Sequence, residues 1–442
     1  MMAKKACIET FGCQMNVHDS ERMAGLVEQA GYELTDDVDD ADLVVINTCS
    51  VREKAEEKLF GRLGALGRGD GERPLVAVTG CVAQQEGGRI LERSAKVDVV
   101  VGTQALRRLP LLVNRADETG ESQVDVNPYD DVSFPLGMAV RNDPVKAYVT
   151  IIEGCNDFCA FCVVPYTRGH ERMRPAGEIL AEVRHAAAAG HREVHLLGQI
   201  VNHYHDPADP RHDFAWLLHE VHAVPGVARI RFASPHPRHV TPAMIAALRD
   251  LPKVCNHLHL PLQSGSSAVL KKMRRRYSRE TYLALVEQVR KAVPDIGLST
   301  DIIVGFPGET DRDFEDTLSL VEEVGFRGMF SFMYSQRPNT LAAKRMPDTV
   351  PDAEKTRRLT ALQAHQKTIQ TRLHAASIGQ TVHVLVDSRS RRQADGGMFS
   401  GRTEQNTVVN FPGKPEWLGS TVAVRVDAAG AYSLRGEVVS PA

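Results

Sequence analysis

Short apolar runs alternate with amphipathic stretches over the first quarter of the chain. The runs at 5–10, 41–47, 75–79 and 97–101 have the length and β-branched content of strands. Stretches of helical period at 20–30, 53–66 and 84–93 lie between them. Strands alternating with helices predict an open, mostly parallel α/β sheet. Residues from about 116 to 144 lose the periodicity and carry Asp, Asn, Gly and Pro, which predicts a linker or crossing strap.

A second rhythm follows, with strands expected at 145–152, 193–197, 229–233, 257–260, 298–304 and 329–334. Helical stretches such as 176–189, 279–292 and 311–324 separate them, and a long one at 352–376 closes the series. Six such units predict a (β/α)6 partial barrel rather than a full eight-stranded one. The tail changes character. Short strands at 382–386, 397–401, 407–411, 421–426 and 432–438, punctuated by Gly, Asp and Pro, predict a small oligonucleotide-binding-like β-barrel that is separable from the rest. The expected fold class is therefore α/β, with domains at 1–118, 141–375 and 376–441.

Eight cysteines are spread unevenly over this frame. Cys155, Cys159 and Cys162 form a C-x3-C-x2-C loop directly after the first strand of the second rhythm. Thiolates are the usual protein ligands of iron–sulfur clusters. Three on one loop can hold three irons of a four-iron cube and leave the fourth open to chelate a small molecule. Zinc would need a fourth ligand, which His170 could supply, but this spacing is unusual for zinc. Cys13, Cys49 and Cys81 are remote in sequence yet placed alike, each just past a strand of the first rhythm. Strand ends of a parallel sheet share one edge, where ligands gather, so these three can meet and hold a second cluster. The alternative is three unrelated core thiols. Cys7 and Cys255 are expected in cores.

Composition narrows the picture. The 442 residues are 43% hydrophobic and 25% charged, enough for several packed domains. A formal net charge of −3 excludes a global positive field, so any RNA contact must be a local patch. Lys271, Lys272, Arg274, Arg275 and Arg276 form one basic cluster, and Arg389, Arg391 and Arg392 another. Each reads either as an RNA patch or as a solvated face. No run approaches about 18 apolar residues, and the first residues lack a signal peptide's apolar core. A cytoplasmic location without a membrane partner is expected, where thiols bind metal more often than they form disulfides.

The cysteine loop, with Phe161 before its last cysteine, resembles that of the radical S-adenosylmethionine enzymes. The whole chain is similar to the methylthiotransferases, most closely to their bacterial tRNA branch. The resemblance is carried by Thr10-Phe11-Gly12-Cys13-Gln14-Met15-Asn16, Asn47-Thr48-Cys49 and Gly80-Cys81, and by Val163-Val164-Pro165-Tyr166-Thr167-Arg168-Gly169 after the loop. Further motifs span 259–266 and 299–309, and the tail carries Gly401-Arg402-Thr403-Glu404-Gln405-Asn406. Two positions depart from the family pattern: Ile200 in Gly198-Gln199-Ile200-Val201-Asn202, and Met173 before Arg174.

The resemblance implies a methylthiotransferase N-terminal domain, a radical S-adenosylmethionine core and an RNA-binding TRAM tail. It implies two [4Fe-4S] clusters, one on Cys13, Cys49 and Cys81 and a catalytic one on Cys155, Cys159 and Cys162, together with S-adenosyl-L-methionine. Phe161, Gly198, Gln199, Ser234, His236, Asp301 and Val304 become candidate contacts of that cofactor, each also compatible with barrel packing. The implied reaction converts C2–H of N6-isopentenyl-adenosine, beside the anticodon of tRNA, to C2–SCH3. A radical from one S-adenosylmethionine takes the hydrogen, the N-terminal cluster passes on sulfur, and a second S-adenosylmethionine gives the methyl group. Implied partners are the tRNA anticodon loop, a reducing protein such as a flavodoxin or ferredoxin, and a sulfur source; a monomer is compatible with this. Alternatives are methylthiolation of threonylcarbamoyl-adenosine or of a ribosomal protein, and a non-catalytic iron–sulfur RNA-binding protein.

Overall fold

The fold was analysed in a computed structural model, which describes residues 3–50, 53–66, 73–127, 139–390 and 397–441. The first unit is a six-stranded sheet built from β1 (Lys5–Phe11), β2 (Glu33–Leu34), β3 (Leu43–Thr48), β4 (Leu75–Gly80), β5 (Val99–Val101) and β6 (Gln123–Asp125). Its order is β2-β1-β3-β4-β5-β6 and every pairing is parallel. The central strand β3 is buried throughout. Leu43 and Val45 enter one apolar layer with Met23, Val27, Leu109 and Leu112, while Val44 and Ile46 enter the other with Leu59, Leu63 and Ile90. Alternate side chains thus feed both faces, as a doubly covered parallel sheet requires. Helices α1 (Gln14–Gln29) and α5 (Leu109–Thr119) cover the first face. The second is covered by α2 (Glu53–Ala65), α3 (Cys81–Glu86) and α4 (Arg89–Arg93).

Three expectations need correction. Helix α1 begins at Gln14, six residues before the expected start. Its first turns are polar because they meet polar partners on both sides, Asn16 and Ser20 on Asn47 of the sheet and His18, Asp19 and Arg22 on the barrel. The single helix expected at 84–93 is two, α3 and α4, broken at Gly87 and Gly88. The expected linker contains the end of α5 and the sixth strand, too short for a periodicity to register; its residues 128–138 lie outside those described.

The second unit carries six parallel strands: β7 (Lys146–Thr150), β10 (Glu193–Leu197), β11 (Arg229–Phe232), β12 (His257–His259), β13 (Gly297–Val304) and β14 (Gly328–Met333). They form two three-stranded sheets, β11-β10-β7 and β12-β13-β14, linked through the Ile230–Val254 bridge. A short hairpin of β8 (Ile152–Glu153) and β9 (Arg172–Met173) clamps the base of the cysteine loop. The helices include α6 (Val164–Thr167), α7 (Ala176–Ala188), α8 (Phe214–Ala223), α9 (Pro242–Asp250), α10 (Ser267–Lys272), α11 (Arg279–Ala292), α12 (Asp311–Val324), α13 (Leu341–Arg345) and the long α14 (Asp352–Ala375). Ser278 and Thr310 start α11 and α12 with capping boxes, which is why those bounds are sharp.

The tail is a closed barrel of β15 (Thr381–Arg389), β16 (Met398–Arg402), β17 (Val408–Pro412), β18 (Thr421–Ala429) and β19 (Leu434–Pro441). It docks on the second unit. Arg229 donates to the Arg402 carbonyl at 2.5 Å and to that of His383 at 3.3 Å. Arg231 donates to the carbonyls of Thr403 and Glu404 at 2.7 and 3.1 Å, and to Glu193 at 3.0 Å. Lys146 pairs with Asp387 at 2.7 Å. Lys146 and Arg229 open strands β7 and β11, so the tail covers the N-terminal end of the barrel and leaves the opposite mouth free.

Candidate iron–sulfur centres

The registers of the first sheet place Phe11 beside Thr48 and Thr48 beside Gly80. Those three residues end β1, β3 and β4, which are neighbours. Cys13, Cys49 and Cys81 follow them at once and converge on one point. The Cys49 thiol is shared with both Cys13 and Cys81. Hydrogen bonding from Cys49 holds the Cys13 and Cys81 thiols below their ordinary value, with the Arg168 guanidinium acting in the same direction, whereas Cys49 itself is pushed up. Cys13 caps the start of α1, where backbone N–H groups also favour its thiolate. Asn47 fixes the arrangement: it donates to the Asn16 carbonyl at 2.8 Å and to Ser20 at 2.9 Å, and accepts from Asn16 at 3.0 Å. Gly80 has φ +88°, and a Cβ there would lie 2.3 Å from Asn47 Oδ1 and 2.4 Å from the Thr48 carbonyl. Only glycine lets the strand end approach so closely.

The second set leaves β8 at Gly154, whose φ is +78° and where a Cβ would meet the His170 carbonyl at 2.0 Å. Cys155 N–H donates to the Gly169 carbonyl at 3.1 Å, and Ala160 N–H to that of Met273 at 3.0 Å, so the loop is pinned at both ends of its turn. Cys155 and Cys159 are buried and Cys162 is half-buried. Burial, then the neighbouring thiols, pushes Cys162 up to about 12; Cys155 rises likewise, against a hydrogen bond from Asp157 N–H. Arg275 donates to Cys159 Sγ and to the Pro261 carbonyl, both at 3.3 Å.

Both donor sets fit an iron–sulfur cluster: three soft sulfur ligands each, glycine beside them for close approach, and a buried arginine at each, Arg275 and Arg168. His170 does not complete a zinc site. Its Nδ1 lies 3.1 Å from Asn156 Oδ1, on the exposed side of the loop.

Three family descriptions match the chain: the uncharacterized protein family UPF0004 over 5–102, the radical SAM superfamily over 149–321 and the TRAM domain over 375–439. A tRNA-2-methylthio-N(6)-dimethylallyladenosine synthase of Nitrosospira multiformis is 45% identical, over 99% of this chain and 94% of its own length. Synthases of the same name from Halorhodospira halophila and Neisseria gonorrhoeae are 46% and 44% identical, over 99% of this chain and 93% and 99% of theirs. The chain belongs to the tRNA-2-methylthio-N(6)-dimethylallyladenosine synthase family. Among solved structures, the radical S-adenosylmethionine methyltransferase TsrM from Kitasatospora setae superimposes with TM-score 0.54 at 14% identity, over 77% of each chain. The cobalamin-dependent radical enzyme OxsB does so with TM-score 0.51 at 12% identity, over 84% of this chain and 56% of its own. At such identities these two support the fold alone.

The other candidate contacts of this synthase-family chain are distributed unevenly. Gly198 and Gln199 follow β10 at the barrel mouth, and Gln199 Nε2 reaches Met15 Sδ of α1 at 2.7 Å. Ser234 sits past β11 with φ +61°, and its carbonyl accepts from Val201 N–H at 3.3 Å. His236 is buried, and Nδ1 accepts from Arg238 N–H at 3.1 Å. Its Nε2 has no hydrogen-bond partner among the described residues, and Asp157 Oδ2 of the cysteine loop lies 3.5 Å away. An orphaned buried donor at the mouth suits a polar ligand. Asp301 faces His259 at 3.3 Å. Val304 is fully buried in the barrel core, and Phe161 packs on a small cluster with Phe306 and Tyr334.

Sequence reasoning missed two arginines. Arg275 was counted in a basic surface cluster, yet it is buried against Cys159; a run of adjacent arginines offers no signal that one turns inward. Arg168 lay inside a recognised motif without a role. Of the second basic cluster, Arg391 and Arg392 lie outside the described residues.

Proposed function

We propose that the chain methylthiolates C2 of N6-isopentenyl-adenosine beside the anticodon of tRNA. One observation supports the reading: the segment that follows Cys155, Cys159 and Cys162 ends at Arg168, which is buried on Asp19 of α1 beside Cys81 and Cys13. Cys155, Cys159 and Cys162 would hold one [4Fe-4S] cluster and Cys13, Cys49 and Cys81 the other. When bound, the first supplies reductive cleavage of S-adenosylmethionine and the second supplies sulfur. The chain's own residues do the rest. Arg275 donates to Cys159, the buried His236 offers Nε2 to a ligand at the mouth, and Gln199 ties the barrel to α1. Phe330 lies 55% exposed on β14, which ends its three-stranded sheet, and meets His259 edge-on. It offers an aromatic face to a single-stranded base.

The domains act as 1–118, 141–375 and 376–441, in one cytoplasmic monomer served by a flavodoxin- or ferredoxin-like reductant and a sulfur donor. Among the described residues no helix is long and apolar enough to cross a membrane. Mass spectrometry of nucleosides from tRNA of a strain lacking the chain tests the reading. The 2-methylthio form of N6-isopentenyl-adenosine should disappear and its unthiolated form accumulate. Loss of a methylthiolated threonylcarbamoyl-adenosine, or of a ribosomal-protein modification instead, would replace it.

A further inference from the structure

Arg168 lies six residues beyond Cys162, at the end of α6, yet its side chain leaves the barrel. It is buried, and Nη2 donates to Asp19 Oδ2 of α1 at 2.6 Å. The same guanidinium faces the Cys81 and Cys13 thiols. Its backbone is held from the N-terminal unit too. Gln104 donates to the Arg168 carbonyl at 3.0 Å, and Thr103 to that of Thr167 at 2.5 Å. Around it, Arg22 pairs with Glu153 at 3.1 Å, and His18 meets Thr150 at 2.7 Å and Glu182 at 3.2 Å.

We infer that Arg168 is a positioning residue for the N-terminal cluster, one guanidinium that ties Asp19 of α1 to the segment bearing the barrel cysteines and sets a positive charge beside the Cys81 and Cys13 sulfurs. This rests on reading Cys13, Cys49 and Cys81 as a cluster site. A forked donor can hold a carboxylate and face a sulfur at once, where a lysine offers only a point charge. A cation beside a cluster also stabilises the more negative, reduced state, because local charge sets a cluster's potential. The residue therefore does two things: it sets the direction in which the N-terminal site faces the barrel mouth, and it sets the charge that site tolerates.

The test uses the full chain with Cys155, Cys159 and Cys162 changed to Ala, so that only the N-terminal site binds iron. Its reduction potential is titrated by electron paramagnetic resonance with Arg168, with Arg168→Lys and with Arg168→Met. The expected order of potentials is Arg highest, Lys between and Met most negative, with iron retained in the Lys protein. Loss of iron in the Met protein alone also supports the role, since charge then decides occupancy. In the six-cysteine enzyme, Arg168→Met should still release 5′-deoxyadenosine while its methylthiolated product falls several-fold further. Unchanged potentials, or loss of iron from both variants, would overturn the role of Arg168. Absence of N-terminal iron when Arg168 is intact would instead refute the cluster reading beneath it.

Discussion

Buried arginines at the two thiol sets set the chemistry at the scale of single residues. Arg275 has Cys159 and the Pro261 carbonyl as partners inside the barrel mouth. Arg275→Ala leaves Cys159 without its donor and the Pro261 carbonyl with Tyr277 Oη alone, at 3.0 Å, and hydrogen bonds to charged groups contribute about 1.5–3 kcal/mol each. The protein should lose about 2 kcal/mol of stability by that measure, seen as a lower denaturation midpoint. The two sets also differ in ionisation. The Cys13 thiol is held below its ordinary value, so it is thiolate at a pH where a free thiol is still protonated, and it loses that state only as the pH falls through its lowered value. Cys162 is pushed the other way, to about 12. Iodoacetamide at neutral pH should therefore alkylate Cys13 of the metal-free protein well before Cys162; the reverse order, read by peptide mass spectrometry, would contradict these environments. Phe330→Ala should raise KM for tRNA about tenfold, since stacking on one base is worth about 1–3 kcal/mol, and should leave 5′-deoxyadenosine release without tRNA unchanged.

Elements bring these residues together, and here the chain was readable in part. The strands carried strong signals, and β10 and the helices α11 and α12 lie where the pattern places them. Their apolar periodicity has one cause, burial against the barrel. Helix α1 was misjudged because one side chain set serves two neighbours. Asn16, His18, Asp19 and Arg22 are polar yet buried, matched by Asn47, Thr150, Arg168 and Glu153. No sequence period distinguishes a polar residue facing water from one facing a buried partner. The cysteines were legible for a different reason: each thiol of the first set follows a strand, and parallel strands end together. Gly80→Ala tests that edge. A Cβ 2.4 Å from the Thr48 carbonyl cannot be accommodated without moving β3 or β4. The backbone at φ +88° and ψ −158° is itself essentially restricted to glycine and costs another residue about 1–3 kcal/mol, so N-terminal iron should fall while barrel iron persists.

At the scale of the whole molecule, the tail was the largest surprise. Its strands were readable from spacing, but its docking was not, because the contacts run from arginine side chains to backbone carbonyls, which any sequence supplies. Within the Gly401–Asn406 motif, the carbonyls of Arg402, Thr403 and Glu404 cap the barrel's N-terminal end. A protein ending at residue 376 would leave Arg229 and Arg231 buried or newly wetted without those partners, at about 1.5–3 kcal/mol per lost bond. Its barrel should melt at a lower temperature than in the full chain and lose S-adenosylmethionine cleavage with it; an unchanged melt would show the tail to be separable after all. The N-terminal sheet docks on the other side of the barrel through α1, so the molecule presents its two thiol sets from fixed neighbours.

The most direct measurement of the central claim is anaerobic reconstitution of the full chain and of its Cys13→Ala, Cys49→Ala, Cys81→Ala variant, with iron and nucleoside products assayed on the same samples. Two four-iron clusters require about eight irons per chain and about four in the variant. The account predicts that the variant still forms 5′-deoxyadenosine under reducing conditions but no methylthiolated adenosine. A folded variant that keeps all its iron, or that methylthiolates tRNA over several turnovers, would contradict it.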